Sequence, residues 1–77
     1  MTKDKAREAL RKVGIVGNDI IENGNGLCFL ANDSDGFSLW QCLAVVKDNE
    51  VVEWKLLDGW LGHQPAFPTL EALLESL

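Results

Sequence analysis

Residues 37–57, FSLWQCLAVVKDNEVVEWKLL, decide the fold. Two stretches rich in apolar, β-branched and aromatic residues, Phe37–Val46 and Val51–Leu57, flank Asp48-Asn49. Asp and Asn tolerate the left-handed backbone of a two-residue hairpin turn, so the two stretches read as antiparallel strands. With that turn, Lys47 faces Glu50, Val45 faces Val52, Leu43 faces Trp54 and Gln41 faces Leu56. All but the first and last of these pairs are apolar on both sides, which makes this the expected core face. The opposite face pairs Val46 with Val51, Ala44 with Glu53, Cys42 with Lys55 and Trp40 with Leu57, a mixed set.

Towards the N-terminus, Asn32-Asp33-Ser34-Asp35-Gly36 and Asn23-Gly24-Asn25-Gly26 are dense turn signals. They delimit two shorter strands, Leu27–Ala31 and Ile20–Glu22. A helix over about residues 3–13 is expected ahead of them. Thr2 is its N-cap, Ala6, Ala9, Leu10 and Val13 form its apolar stripe, and Gly14 stops it. A second helix begins after Thr69, with Leu70, Leu73, Leu74 and Leu77 on one side. It is expected to pack on the Leu43/Val45/Val52/Trp54 face, with the first helix sharing that face or covering the mixed one. The predicted architecture is α+β: an N-terminal helix, an antiparallel meander of three or four strands, and a C-terminal helix on one face.

Seventy-seven residues allow a single domain, residues 1–77, with a small core. Charge is unevenly placed. Residues 1–12 carry five cationic side chains against Asp4 and Glu8, a net +3. The remaining 65 residues carry ten carboxylates against Lys47 and Lys55, a net −8. An acidic body argues against direct binding of nucleic acid or an anionic membrane, and favours a basic partner or plain solubility. No apolar run approaches the length of a membrane span, and the charged first residues do not form a signal peptide, so a cytoplasmic location is expected. Lys3, Arg7 and Arg11 make a basic stripe on the first helix, either solvated, paired with the acidic body or in contact with a phosphate.

Motifs for catalysis, cofactors or metals do not emerge. Residues 32–36 resemble a calcium loop, but Ala31 occupies the position before it and Cys42 the place of the bidentate carboxylate. His63 is the only histidine and has no adjacent nucleophile. Cys28 and Cys42 fall inside apolar strands and read as reduced core residues. No catalytic, cofactor-binding or metal-binding residue is assigned, and the expectation is a non-enzymatic protein.

What stands out is the carboxylates. In a meander, Asp19, Asp33, Asp35 and Asp58 fall near one end of the sheet, and Glu22, Asp48 and Glu50 near the other, with Glu53 on the mixed face. Carboxylates spread over such a surface can imitate the phosphates of a duplex and enter a Lys/Arg groove. The competing explanation is that hairpin turns favour Asp because it bonds its own backbone. Trp60, in a Gly-flanked loop, is either a lid on the core or an interface anchor.

In size, acidity, mixed strand-and-helix build and lack of motifs, the chain resembles the small acidic anti-CRISPR proteins of phages. That group shares no residue motif, so the resemblance assigns no residue roles. It implies a stoichiometric inhibitor that occupies a basic nucleic-acid-binding site on its target, such as a subunit of a defence complex, as a monomer or weak homodimer. The partner-binding set expected from the sequence is Asp19, Asp33, Asp35, Asp48, Glu50, Glu53, Asp58 and Trp60. The alternative is a small homodimeric structural or accessory protein that associates through an apolar sheet face.

Overall fold

The computed structural model describes residues 1–24, 26–57 and 64–77. Asn25, Asp58, Trp60 and His63 lie outside the described residues. Helix α1 (Lys3–Lys12) is followed by a short 3-10 turn at Gly17–Asp19 and by strands β1 (Ile20–Asn23), β2 (Gly26–Asn32), β3 (Leu39–Lys47), β4 (Glu50–Leu56) and β5 (Ala66–Phe67), then by helix α2 (Leu70–Glu75). The strands form one antiparallel sheet in the order β1-β2-β3-β4-β5. The α+β class is as expected, with Ile20–Asn23 inside the sheet and a short fifth strand added.

Both helices start where side-chain caps satisfy their free N–H groups. Thr2 Oγ1 accepts from the Lys5 N–H at 3.3 Å, and Thr69 Oγ1 accepts from the Ala72 N–H at 3.1 Å. Ala6 and Leu10 of α1 and Leu70 and Leu73 of α2 are buried, while Leu74 and Leu77 pack at the edge of the core. Val13, expected on the α1 stripe, is exposed instead, because the helix has already ended at Lys12.

The β3–β4 hairpin opens as expected. Asp48 (φ 53°) and Asn49 (φ 64°) both take the left-handed conformation, and Lys47 pairs with Glu50 and Val46 with Val51. The register then shifts: Val45 pairs with Glu53, Ala44 with Trp54, Leu43 with Lys55 and Cys42 with Leu56. Val52 is the extra residue of a β-bulge, and it remains 54% exposed. One inserted residue moves every later side chain of β4 to the other face. Trp54, 2% exposed, therefore joins Ala44 and Cys42 rather than Leu43.

This corrects the expected faces. The core lies on the side of Cys42, Ala44 and Trp54, together with Leu27, Phe29 and Ala31 of β2 and Ile20 of β1. Phe29 and Trp54 meet edge to face, with ring centroids 5.9 Å apart. Both helices contribute to this core, and Trp40, Val51 and Leu56 pack against it. Leu43, Val45 and Val52 are not among the buried core, and Trp40, expected on an uncovered face with Leu57, belongs to the helix-covered side. The Trp40 indole N–H is buried without a hydrogen-bond partner among the described residues. Phe37, read as the first residue of β3, precedes the strand and is 90% exposed.

Beyond β3, the other side of β4 is closed at both ends. The Val51 N–H donates to the Met1 carbonyl at 2.7 Å, Thr2 bridges to Glu50, and the Leu56 N–H donates to the Pro65 carbonyl at 3.0 Å. At the opposite side of the sheet, Gly26 (φ +146°) lets β2 approach β3 closely. A Cβ there would stand 2.0 Å from the Ala44 carbonyl oxygen.

Two outcomes test this architecture. Gly26→Ala should destabilise by about 2–4 kcal/mol in chemical denaturation, since both the backbone conformation and the contact oppose a side chain. Deleting Val52 leaves Val51, Glu53 and Trp54 in plain alternation opposite Val46, Val45 and Ala44, so Trp54 and Leu56 should stay in the core and unfolding should remain cooperative. Val52→Lys, which keeps the bulge, should change stability by only about 0.5 kcal/mol.

Candidate acidic interaction surface

The expected partner-binding residues divide into those already engaged within the chain and those left free. Glu50 is engaged: its Oε2 lies 3.1 Å from the Met1 amino group. Glu53 lies 3.6 Å from Lys55 Nζ. Asp48 occupies a hairpin position that requires positive φ, a role for which its residue type is suited without any partner. Asp58 and Trp60 lie outside the described residues.

At the other end of the sheet, two carboxylates share a groove and a third lies on the adjoining loop. Asp19 ends the 3-10 turn, and Asp33 begins the β2–β3 loop that also carries Asp35. Asp19 and Asp33 line the same surface groove of about 270 Å³, between the end of α1, β2 and α2, with Val13, Leu39 and Leu74. Among the described residues, none of Asp19, Asp33 and Asp35 has a Lys or Arg within 4 Å.

Asp33 also builds its own loop. Its Oδ1 accepts from the backbone N–H of Phe37 at 2.9 Å and of Asp35 at 3.1 Å, while the Asp33 N–H donates to the Ser38 carbonyl at 3.0 Å. These bonds, that from Phe37 foremost, hold the Asp33 carboxyl below the ordinary aspartate range. The turn-forming explanation therefore holds for Asp33 and Asp48, whatever else Asp33 does. The loop presents Phe37 to solvent beside Asp35. Sequence reasoning placed Phe37 in a strand and so missed it. The only available signal was its position next to Gly36 within a turn-rich segment.

The basic stripe of α1 serves Glu22. Lys3 Nζ lies 2.7 Å from Glu22 Oε1, and Arg7 donates to Glu22 Oε2. Lys3 and Arg7 are one helical turn apart, so both reach the same strand residue. Their hydrogen bonds, that of Lys3 foremost, lower the Glu22 pKa. Arg11, further along the stripe, is exposed and makes no ion pair with another described residue.

The described residues contain no group of three or more His, Cys, Asp or Glu side chains able to hold a metal ion. Cys28 and Cys42 are both free. They sit at positions of opposite parity on paired strands, so they face opposite sides of the sheet. Cys42 is in the core, and burial pushes its thiol up to about 12. Cys28 is only half-buried, on the side away from the helices, which corrects its reading as a core residue. No described helix is long and apolar enough to cross a membrane.

Compared with family models, curated proteins and solved structures, the chain matches none.

Two outcomes follow. Asp33→Ala should loosen the 33–38 loop, seen as faster amide exchange at Phe37, while Asp33→Asn, which keeps the accepting oxygen, should retain most of the protection. A carboxylate with a lowered pKa stabilises the fold above its unfolded value, and that contribution is lost as pH falls through the folded value. Stability should therefore decline with acidification below about pH 4.3, the ordinary glutamate value. Glu22→Gln should flatten part of that decline in denaturant titrations.

Proposed function

We propose that this chain is a non-enzymatic, acidic protein-binding module that occupies a basic nucleic-acid-binding surface on another protein, in the manner of a phage-type inhibitor. The observation that carries this reading is the grouping of Asp19 and Asp33 on one groove, with Asp35 on the adjoining loop and no cation within 4 Å of any of them among the described residues. Charges left unpaired in the folded chain are available to a partner without first breaking an internal bond. Glu22, Glu50 and Glu53, by contrast, each face a cation of the same chain.

The exposed Phe37 adds an apolar anchor next to this charge. Aromatic side chains at the centre of an interface carry a large share of binding energy, and charge around them steers the encounter. The surface that suits this end is therefore basic with an apolar recess, as in many grooves that hold single-stranded or duplex nucleic acid through phosphates and base stacking.

The test uses the tagged chain as bait in a bacterial lysate. The expected catch is a nucleic-acid-binding protein that is released by salt and displaced by added DNA or RNA. The Asp19→Lys/Asp35→Lys variant should lose it, while circular dichroism shows the fold intact. Asp33 is left unchanged because it holds its loop together. Capture that neither nucleic acid nor the double variant diminishes rejects the reading.

A further inference from the structure

The sheet has two apolar faces, and the helices cover only one. The uncovered face presents Ile21 (68% exposed), Cys28, Leu30, Leu43 and Val45, with a groove of about 330 Å³ at the Asp19 end. An antiparallel sheet that meets water on one side ordinarily carries polar residues there. Contiguous apolar surface on that side marks an interaction site.

The charges on this face indicate its occupant. Its charged β4 positions are Glu50, which pairs with Lys47 and faces the Met1 amino group, and Glu53 and Lys55, which are two residues apart and of opposite sign. The chain as a whole carries −5, yet on β3 and β4 this face balances Lys47 and Lys55 against Glu50 and Glu53, and Asp19, at the groove, is left over. Its β3 and β4 rows therefore offer little to a strongly basic partner, and they are their own electrostatic complement. Glu53 is in register with Val45 on β3, and Lys55 with Leu43. A two-fold axis lying between two such sheets, crossing the strands at the level of Ala44 and Trp54, exchanges these two rows. It sets Glu53 of each copy over Lys55 of the other, and Leu43 over Val45. On β2 the same axis sets Cys28 over Gly26, which has no side chain to obstruct it.

We propose that this face binds a second copy of the chain, forming a two-fold face-to-face sheet dimer held by Leu43 and Val45 and registered by reciprocal Glu53–Lys55 pairs. This face meets the acidic end at Asp19, which lines the grooves on both, while Asp33 lines only the acidic one. Four strands about 4.8 Å apart and roughly seven residues long cover about 450 Å² per copy. The total of about 900 Å² lies below the size of stable interfaces, so the dimer is weak.

Sedimentation equilibrium of the full chain over a micromolar to submillimolar range tests it. The mass should rise with concentration from the 8.5 kDa of one chain towards twice that value. Glu53→Lys or Lys55→Glu alone places like charges opposite each other and should weaken association about tenfold or more. The double variant Glu53→Lys/Lys55→Glu restores opposite signs and should recover most of the loss. Leu43→Arg should abolish association, and Ile21→Arg, at an exposed rim position, should weaken it with no loss of fold by circular dichroism. A constant single-chain mass overturns the proposal. So does a dimer indifferent to the single charge reversals, or one that the double variant fails to recover.

Discussion

Everything in this molecule depends on the bulge at Val52. Without it, the alternation of β4 would place Val51 and Trp54 on opposite faces of the sheet. With it, Val51, Trp54 and Leu56 share one face with Ala44 and Cys42. Trp54 then meets Phe29 edge to face within the core that both helices close. In a chain of this length a buried tryptophan supplies a large fraction of the available apolar area, so its side of the sheet determines where α1 and α2 can pack. The bulge residue itself contributes little, being half-exposed. Its effect comes from the parity it imposes on its neighbours.

Charge is distributed on the same plan. α1 lies over the core face, and its cations reach across to Glu22 on the edge strand β1. A charged pair on an edge strand discourages pairing with a further strand, since a newcomer would have to displace it. The cost of this arrangement is that Lys3 and Arg7 are unavailable to the far end of the sheet. Among the described residues, Asp19, Asp33 and Asp35 have no Lys or Arg within 4 Å, so these carboxylates are left without an ion pair at that end.

The two faces of the sheet have different characters as a result. One is sealed by helices and rich in small residues, Ala31, Cys42 and Ala44, which let the helices approach. The other bears larger aliphatic side chains and a neutral Glu53–Lys55 pair. The physical character of the two surfaces differs: long-range charge dominates at the acidic end, apolar side chains on the uncovered face.

The elements themselves were legible in the sequence. Thr2 and Thr69 announce the helix starts, Asp48-Asn49 announces the hairpin, and the turn-rich segments mark the strand ends, because caps and turns depend on local backbone chemistry. Asp19, Asp33 and Asp35 could be placed at one end from strand direction alone. Which face is the core could not be read. Leu43/Val45/Val52 and Cys42/Ala44/Val46 are both apolar sets, and no local signal marks one inserted residue. Only the tertiary structure decided between them, because a bulge is selected by the packing of Trp54 against elements distant in sequence. The same holds for Glu22, whose partners lie 15 and 19 residues away, a spacing that sequence pattern cannot connect.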